Sequence, residues 1–192
     1  MSRTDGRPVL PRLTEGARNY PAHAASHGIQ LAPLADVHSP KVMFIACSDA
    51  RLVPTLITGS LPGEVFELRT HGAVLPRFDP ERPSGEALTI EYAVATLKVT
   101  DIVVCGHSHC DVVDVGVTDG VQSAEEAGAL TTGDFTAAGH SHVVRQLDVL
   151  SDYAFVAPRL ADGSLRTHGW YHELETGSTL RFRPHLSSFL PL

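Results

Sequence analysis

Three cysteines among 192 residues are too few, and odd in number, to build a disulfide framework in a chain of this length. Thiols that stand near histidines in such a chain read instead as metal ligands or nucleophiles. Basic residues are also scarce: 15 Lys and Arg against 22 Asp and Glu leave a formal net charge of −7, with no block of cations. Nucleic acid is thereby excluded as the main partner, because neutralising phosphates needs a clustered basic surface. No uninterrupted apolar run is longer than Val42–Cys47, whereas a bilayer crossing needs about 20 residues. This excludes a membrane-spanning helix. The opening residues carry a little positive charge with no apolar stretch behind them, so no secretory signal is expected and a cytoplasmic location is the default. What is present is 43% hydrophobic residues, the composition of a folded soluble protein whose length suits one domain of ordinary size.

Residues 1–40 read as an N-terminal arm, and 41–192 as a single α/β domain. In the arm, Pro8, Pro11, Pro21 and Pro33 predict irregular chain with one short helix around Tyr20 to Gly28. Lys41 to Ala46 is a short continuous apolar run ending in polar Cys47-Ser48-Asp49, the pattern of a strand buried on both faces of a parallel sheet. Glu64 to Arg69 alternates and predicts a second strand after the turn Leu61-Pro62-Gly63. Ser84 is a candidate N-cap for a helix over Glu86 to Leu97, with Glu86 favoured at the positive end of the helix dipole. The β-branched run Asp101 to Cys105 then predicts a strand that ends at Gly106-His107. Strand, helix and strand in that order predict a parallel crossover, so Cys47 and His107 both fall just past carboxyl ends of strands, where open α/β sheets place ligand sites. The stretch Asp111 to Gly139 has too little periodicity to assign. His140 to Leu150 reads as helix, and Leu165 to Leu174 with Thr179 to Phe182 as strand, turn and strand.

Two short motifs carry the chemistry: Cys47-Ser48-Asp49-Ala50-Arg51 and Gly106-His107-Ser108-His109-Cys110. Two thiolates and an imidazole make a soft donor set that suits Zn2+ and leaves a fourth tetrahedral position open. The competing reading of Cys47 is a small buried apolar residue, with the histidines as ordinary loop residues. Cys105, beside Val103 and Val104, reads as core. Asp49 and Arg51 predict a carboxylate held ionised and oriented by a guanidinium, able to take a proton from a metal-bound water or to replace it as a ligand. The alternative is a surface ion pair of little worth.

The pair Cys-Ser-Asp-x-Arg and Cys-Gly-His-Ser-x-Cys resembles the signature of the β-class carbonic anhydrases, zinc enzymes that interconvert carbon dioxide and bicarbonate. The similarity extends to Pro62 to Phe66 with Arg69, to Thr89 to Val94, and to Gly169-Trp170 with Glu175-Thr176-Gly177. Matched residue by residue, the resemblance implies that Cys47, His107 and Cys110 bind zinc beside the Asp49–Arg51 pair. It further implies a central, mainly parallel β-sheet flanked by helices, a small-molecule substrate, and a homodimer as the minimum assembly. Hydration by zinc-bound hydroxide is the implied reaction.

The chain departs from that pattern in two places. Where the family usually reads Arg-Asn-Ala-Gly-Asn, Arg69-Thr70-His71-Gly72-Ala73 stands, and Asp111-Val112 replaces the usual Gly-Ala. Thr70, His71 and Gly72 are therefore candidates for a changed substrate pocket, and His71 and His109 for proton carriers. Two other functions compete with carbon dioxide hydration. The same zinc site can act on another small electrophile, such as carbon disulfide, carbonyl sulfide or a biosynthetic intermediate; or the chain is a non-catalytic zinc-binding homologue.

Overall fold

A computed structural model of the chain describes residues 8–36, 38–114 and 132–192, and the fold below is that of these residues. Strand β1 (Val42–Cys47) and strand β3 (Asp101–His107) are the two apolar runs, and both are buried on both faces. Successive side chains of a strand point to opposite faces. Met43, Ile45, Ile102 and Val104 accordingly join one core cluster, while Phe44, Ala46, Val103 and Cys105 join the other. Each Met, Ile, Val or Phe among them, fully withdrawn from water, contributes roughly 1.5–3 kcal/mol.

Between the two strands the chain runs through helix α3 (Pro54–Thr58), strand β2 (Val65–Thr70), a 3-10 turn (His71–Ala73) and helix α4 (Gly85–Glu91). Ser84 caps α4 as its residue type predicts, its hydroxyl accepting the Ala87 N–H at 3.1 Å. The helix then loosens into a π turn over Tyr92–Thr96, and the carbonyl of Val94 takes a hydrogen bond from Arg159 Nη1 at 2.8 Å. Beyond β3 come helix α5 (Asp111–Asp114), the long helix α6 (Thr132–Ser151), helix α7 (Ala157–Ala161) and strands β4 (Arg166–His172), β5 (Thr179–Arg183) and β6 (Ser188–Pro191).

These strands form one sheet in the order β2-β1-β3-β4-β5-β6. The first four run parallel and the last two are antiparallel additions at one edge. Register decides where the site lies: Cys47 pairs with Thr70 and His107 with His172, so four carboxyl ends share one rim of the sheet. Helix α6 packs against this part of the sheet closely enough that a Cβ on Gly106 would come within 2.7 Å of Val143 Cγ2.

The arm departs from expectation. It holds two helices, α1 (Val9–Arg18) and α2 (Tyr20–Ser26), because Pro11 and Pro21 stand in first turns, where no intrahelical N–H partner is required. Within the unassigned stretch Asp111 to Gly139, both ends are helical and residues 115–131 lie outside the described residues. Among the described residues no helix is long and apolar enough to cross a membrane.

Candidate metal centre

Cys47 is the last residue of β1 and His107 the last of β3, strands that lie side by side in parallel register. The chain turns back after His107 and delivers Cys110 immediately before α5. All three side chains are buried, and their ligating atoms lie within 4.8 Å of one another. His107 donates from Nδ1 to the Ser108 carbonyl at 2.8 Å, which leaves Nε2 as the lone-pair nitrogen of the neutral ring. Burial pushes the Cys110 thiol up to about 11, with the neighbouring Cys47 adding to the effect. Buried thiols facing one another beside an oriented imidazole are a poor resting state for ionisation unless a cation sits among them, and this donor set fits zinc. Cys105 belongs to the same strand as His107 but lies within the sheet, where burial alone raises its thiol to about 12.

The Asp49–Arg51 pair forms as its spacing predicts. Arg51 Nε donates to Asp49 Oδ1 at 3.0 Å and Nη2 to Oδ2 at 2.6 Å, while the Arg51 backbone N–H reaches Oδ1 at 2.8 Å. The guanidinium hydrogen bonds hold this carboxyl well below the usual carboxylate range. The Asp49 backbone N–H donates to Cys47 Sγ at 3.4 Å, and Arg51 Nη2 also donates to the His109 carbonyl at 2.8 Å. Among the described residues, the converging group that could hold a metal ion is Cys47, His107 and Cys110, and Asp49 stands outside it.

The candidate pocket residues divide. Thr70 stands beside Cys47 in the sheet, its carbonyl accepting the Ser48 N–H at 2.8 Å and its hydroxyl donating to the Val74 carbonyl. Gly72 is buried, with its carbonyl accepting His142 Nε2–H at 2.8 Å. One turn along α6, Gln146 Oε1 accepts the Leu75 N–H, so the helix grips this segment twice. His71 is exposed.

Three residues near the site carry roles that their sequence positions do not announce. Arg69 donates to the carbonyls of Cys47, Asp49 and Leu52 at 2.8, 2.9 and 2.6 Å, so one guanidinium fixes the whole loop after β1. His172, next to His107 across the sheet, is held below the ordinary histidine range chiefly by burial, and its carbonyl accepts the Ser108 N–H. Glu175, in the turn after β4, accepts the Ser108 hydroxyl at 2.8 Å and contacts His109 Nε2. Only the apposition of β4 with β3 creates these last two contacts. The motif match at Arg69 and Glu175 was the available signal.

A model of the family described as carbonic anhydrase matches residues 42–133. A carbonic anhydrase of Pseudomonas aeruginosa is 37% identical over 163 residues, covering 75% of this chain and 74% of that protein. Carbonic anhydrase 1 of Escherichia coli O157:H7 is 34% identical over 178 residues, 83% of this chain and 81% of its own. Among solved structures, the β-carbonic anhydrase CcaA superposes with a TM-score of 0.85 at 26% identity, over 96% of this chain and all of that one (100%). A tetrameric β-carbonic anhydrase from the ascomycete Sordaria macrospora gives 0.74 at 26% identity, over 90% of this chain and 95% of its own.

Proposed function

The chain belongs to the β-class carbonic anhydrase family, and from that premise we propose that it is a zinc-dependent lyase for the reversible hydration of carbon dioxide to bicarbonate. The observation that carries the reading is the convergence of Cys47, His107 and Cys110 beside the Asp49–Arg51 pair. Zinc held by these residues supplies Lewis acidity that brings the ionisation of water close to neutral pH.

The chain's own groups do the positioning. His107 presents Nε2 because Nδ1 is committed to the Ser108 carbonyl. Asp49 stays ionised beside Arg51 and keeps acceptor capacity for a hydrogen bond from the attacking water, whose lone pair it thereby aims at the carbon of the substrate. Arg51 holds both Asp49 oxygens and, through the His109 carbonyl, keeps the carboxylate in step with the loop that carries two of the ligands. Thr70, His71 and Gly72 form the substrate-side wall in this reading, supported by the pairing of Thr70 with Cys47. A reducing cytoplasmic location fits, since Cys47 and Cys110 must remain free thiols to ligate. A homodimer or higher homo-oligomer fits as well, as one structural relative is described as tetrameric.

The test is metal analysis followed by stopped-flow carbon dioxide hydration across pH. About one zinc per chain, lost in Cys47→Ser and Cys110→Ser but retained in Cys105→Ala, with rapid hydration, is the expected result. Full zinc without hydration sinks the assigned substrate and moves the search to other small electrophiles. Undiminished zinc in Cys47→Ser sinks the ligand set.

A further inference from the structure

The loop Ser108-His109 between the second and third candidate ligands has little to hold it from within, yet it must fix both His107 and Cys110. Its peptide carbonyl at Ser108 accepts His107 Nδ1–H at 2.8 Å, so the orientation of that carbonyl sets which imidazole nitrogen faces the thiols. His109 sits at φ +53°, a left-handed conformation that costs a non-glycine residue and persists only where the surroundings impose it.

Those surroundings come from two directions. On one side Arg51 Nη2 donates to the His109 carbonyl. On the other, the turn after β4 supplies Glu175, whose Oε2 accepts the Ser108 hydroxyl at 2.8 Å and whose Oε1 contacts His109 Nε2. The Ser108 hydroxyl oxygen in turn accepts the Leu174 N–H at 2.9 Å, and the Ser108 N–H donates to the His172 carbonyl at 3.0 Å. Glu175 is itself steadied by a compact turn in which the Gly177 N–H reaches the Glu173 carbonyl and the Glu173 N–H reaches the Ser178 carbonyl, each at 2.8 Å. Both side chains of the interligand loop therefore end on one carboxylate that is not itself a ligand.

We propose that Glu175 is a positioning residue for the metal centre: by holding Ser108 and His109 it orients the Ser108 carbonyl that directs His107 Nε2 toward Cys47 and Cys110. The inference rests on the reading of those three residues as the zinc site. Groups that hydrogen-bond a metal ligand directly typically cost 10- to 100-fold in metal affinity or activity when lost, and Glu175 acts through one such group, the Ser108 carbonyl on His107. A side chain that served only the turn would instead change unfolding without changing the metal's surroundings.

The experiment uses the full zinc-loaded chain and follows zinc transfer to a chelating dye, alongside the visible absorption of the cobalt-substituted protein, which reports ligand geometry directly. Glu175→Ala is expected to release zinc about 10- to 100-fold faster and to shift the cobalt bands. Glu175→Gln, whose amide carbonyl still accepts the Ser108 hydroxyl, is expected to restore most of the wild-type rate. Ser108→Ala combined with Glu175→Ala should speed zinc release by less than the product of the two single effects, since the two substitutions share the Ser108–Glu175 hydrogen bond. A Glu175→Ala protein with the wild-type cobalt spectrum and a release rate within about twofold of wild type overturns the proposal, whatever its melting temperature. Zinc held with undiminished affinity in Cys110→Ser is a different failure: it removes the metal assignment first and the role of Glu175 with it.

Discussion

Val112 stands over the bare Cα of Gly72: a Cβ built there would lie 2.7 Å from Val112 Cγ1. The two residues come from the two segments in which the chain departs from its family's usual pattern, and the structure packs them against each other. Gly72 also has φ +68°, so a side chain at this position meets both backbone strain and a buried isopropyl group.

Gly72→Ala is therefore expected to destabilise the fold by roughly 2 kcal/mol or more, the sum of strain and overpacking. Adding Val112→Ala removes the offending methyls and should recover part of the loss, so the two substitutions are non-additive. Urea unfolding of the two single variants and the double variant measures this. Strict additivity would mean that the backbone alone sets the cost.

For the proposed catalytic pair, Arg51→Ala removes the hydrogen bonds that dominate the depression of the Asp49 carboxyl. The carboxyl then rises toward its ordinary range and loses its fixed direction. Carbon dioxide hydration should fall by about 10- to 1,000-fold with zinc content preserved. Unchanged turnover would reduce the pair to a surface salt bridge.

Arg69 acts on the same loop from beneath. Its Nε and Nη2 reach three carbonyls, a fork that the single ammonium of lysine cannot reproduce. Arg69→Lys keeps the charge yet should cost about 2 kcal/mol of stability, because carbonyls turned toward this guanidinium lose a charged donor. Thermal unfolding checks the stability and metal analysis the loop, and a melting curve superimposable on wild type would contradict the role.

What the sequence made legible follows from how local each determinant is. Strands β1 and β3 and the Ser84 cap are visible because apolar runs and capping chemistry act within a few residues. Cys47, His107 and Cys110 are visible because each stands at or just past a strand end and carries ligand chemistry. Helix α1 is hidden in the sequence because Pro11 reads as a breaker unless its place in the first turn is known. The work of Arg69 and Glu175 depends on parallel register between segments far apart in the chain, and no local pattern encodes that register.

At the opposite end of β3, Asp101 Oδ1 and Oδ2 accept Arg166 Nε and Nη2 at 2.8 and 2.7 Å, and His168 Nε2–H also reaches Oδ1 at 2.8 Å. Arg166 first, then His168 and Thr100, hold the Asp101 carboxyl well below its usual range. A carboxyl with a depressed folded-state pKa stabilises above the unfolded value, near 3.8, and loses that contribution as pH falls through the folded value. Arg166→Ala should therefore lower stability at neutral pH and move acid unfolding to higher pH. At pH low enough to protonate Asp101 in both proteins, the difference should vanish. An acid titration followed by circular dichroism tests this, and a gap that persists unchanged into strong acid would assign Arg166 a packing role.

His71 is exposed at the end of β2, one residue past Thr70 and thus close to the rim that carries Cys47. Histidine is a residue type that serves as a proton carrier, and a small apolar residue in that place cannot. His71→Ala is expected to alter the pH–rate profile while leaving zinc content unchanged, since His71 is not part of the group that could hold the metal. The neighbouring Ala73 gives a second handle: it is buried with φ +57°, a conformation that asparagine tolerates better than alanine. If divergence of this segment limits hydration, Thr70→Asn, His71→Ala and Ala73→Asn together should raise the rate of carbon dioxide hydration. A folded, zinc-loaded triple variant with the parent's rate and pH dependence would show that the segment does not set specificity, and would direct attention to Asp111 beside the third ligand.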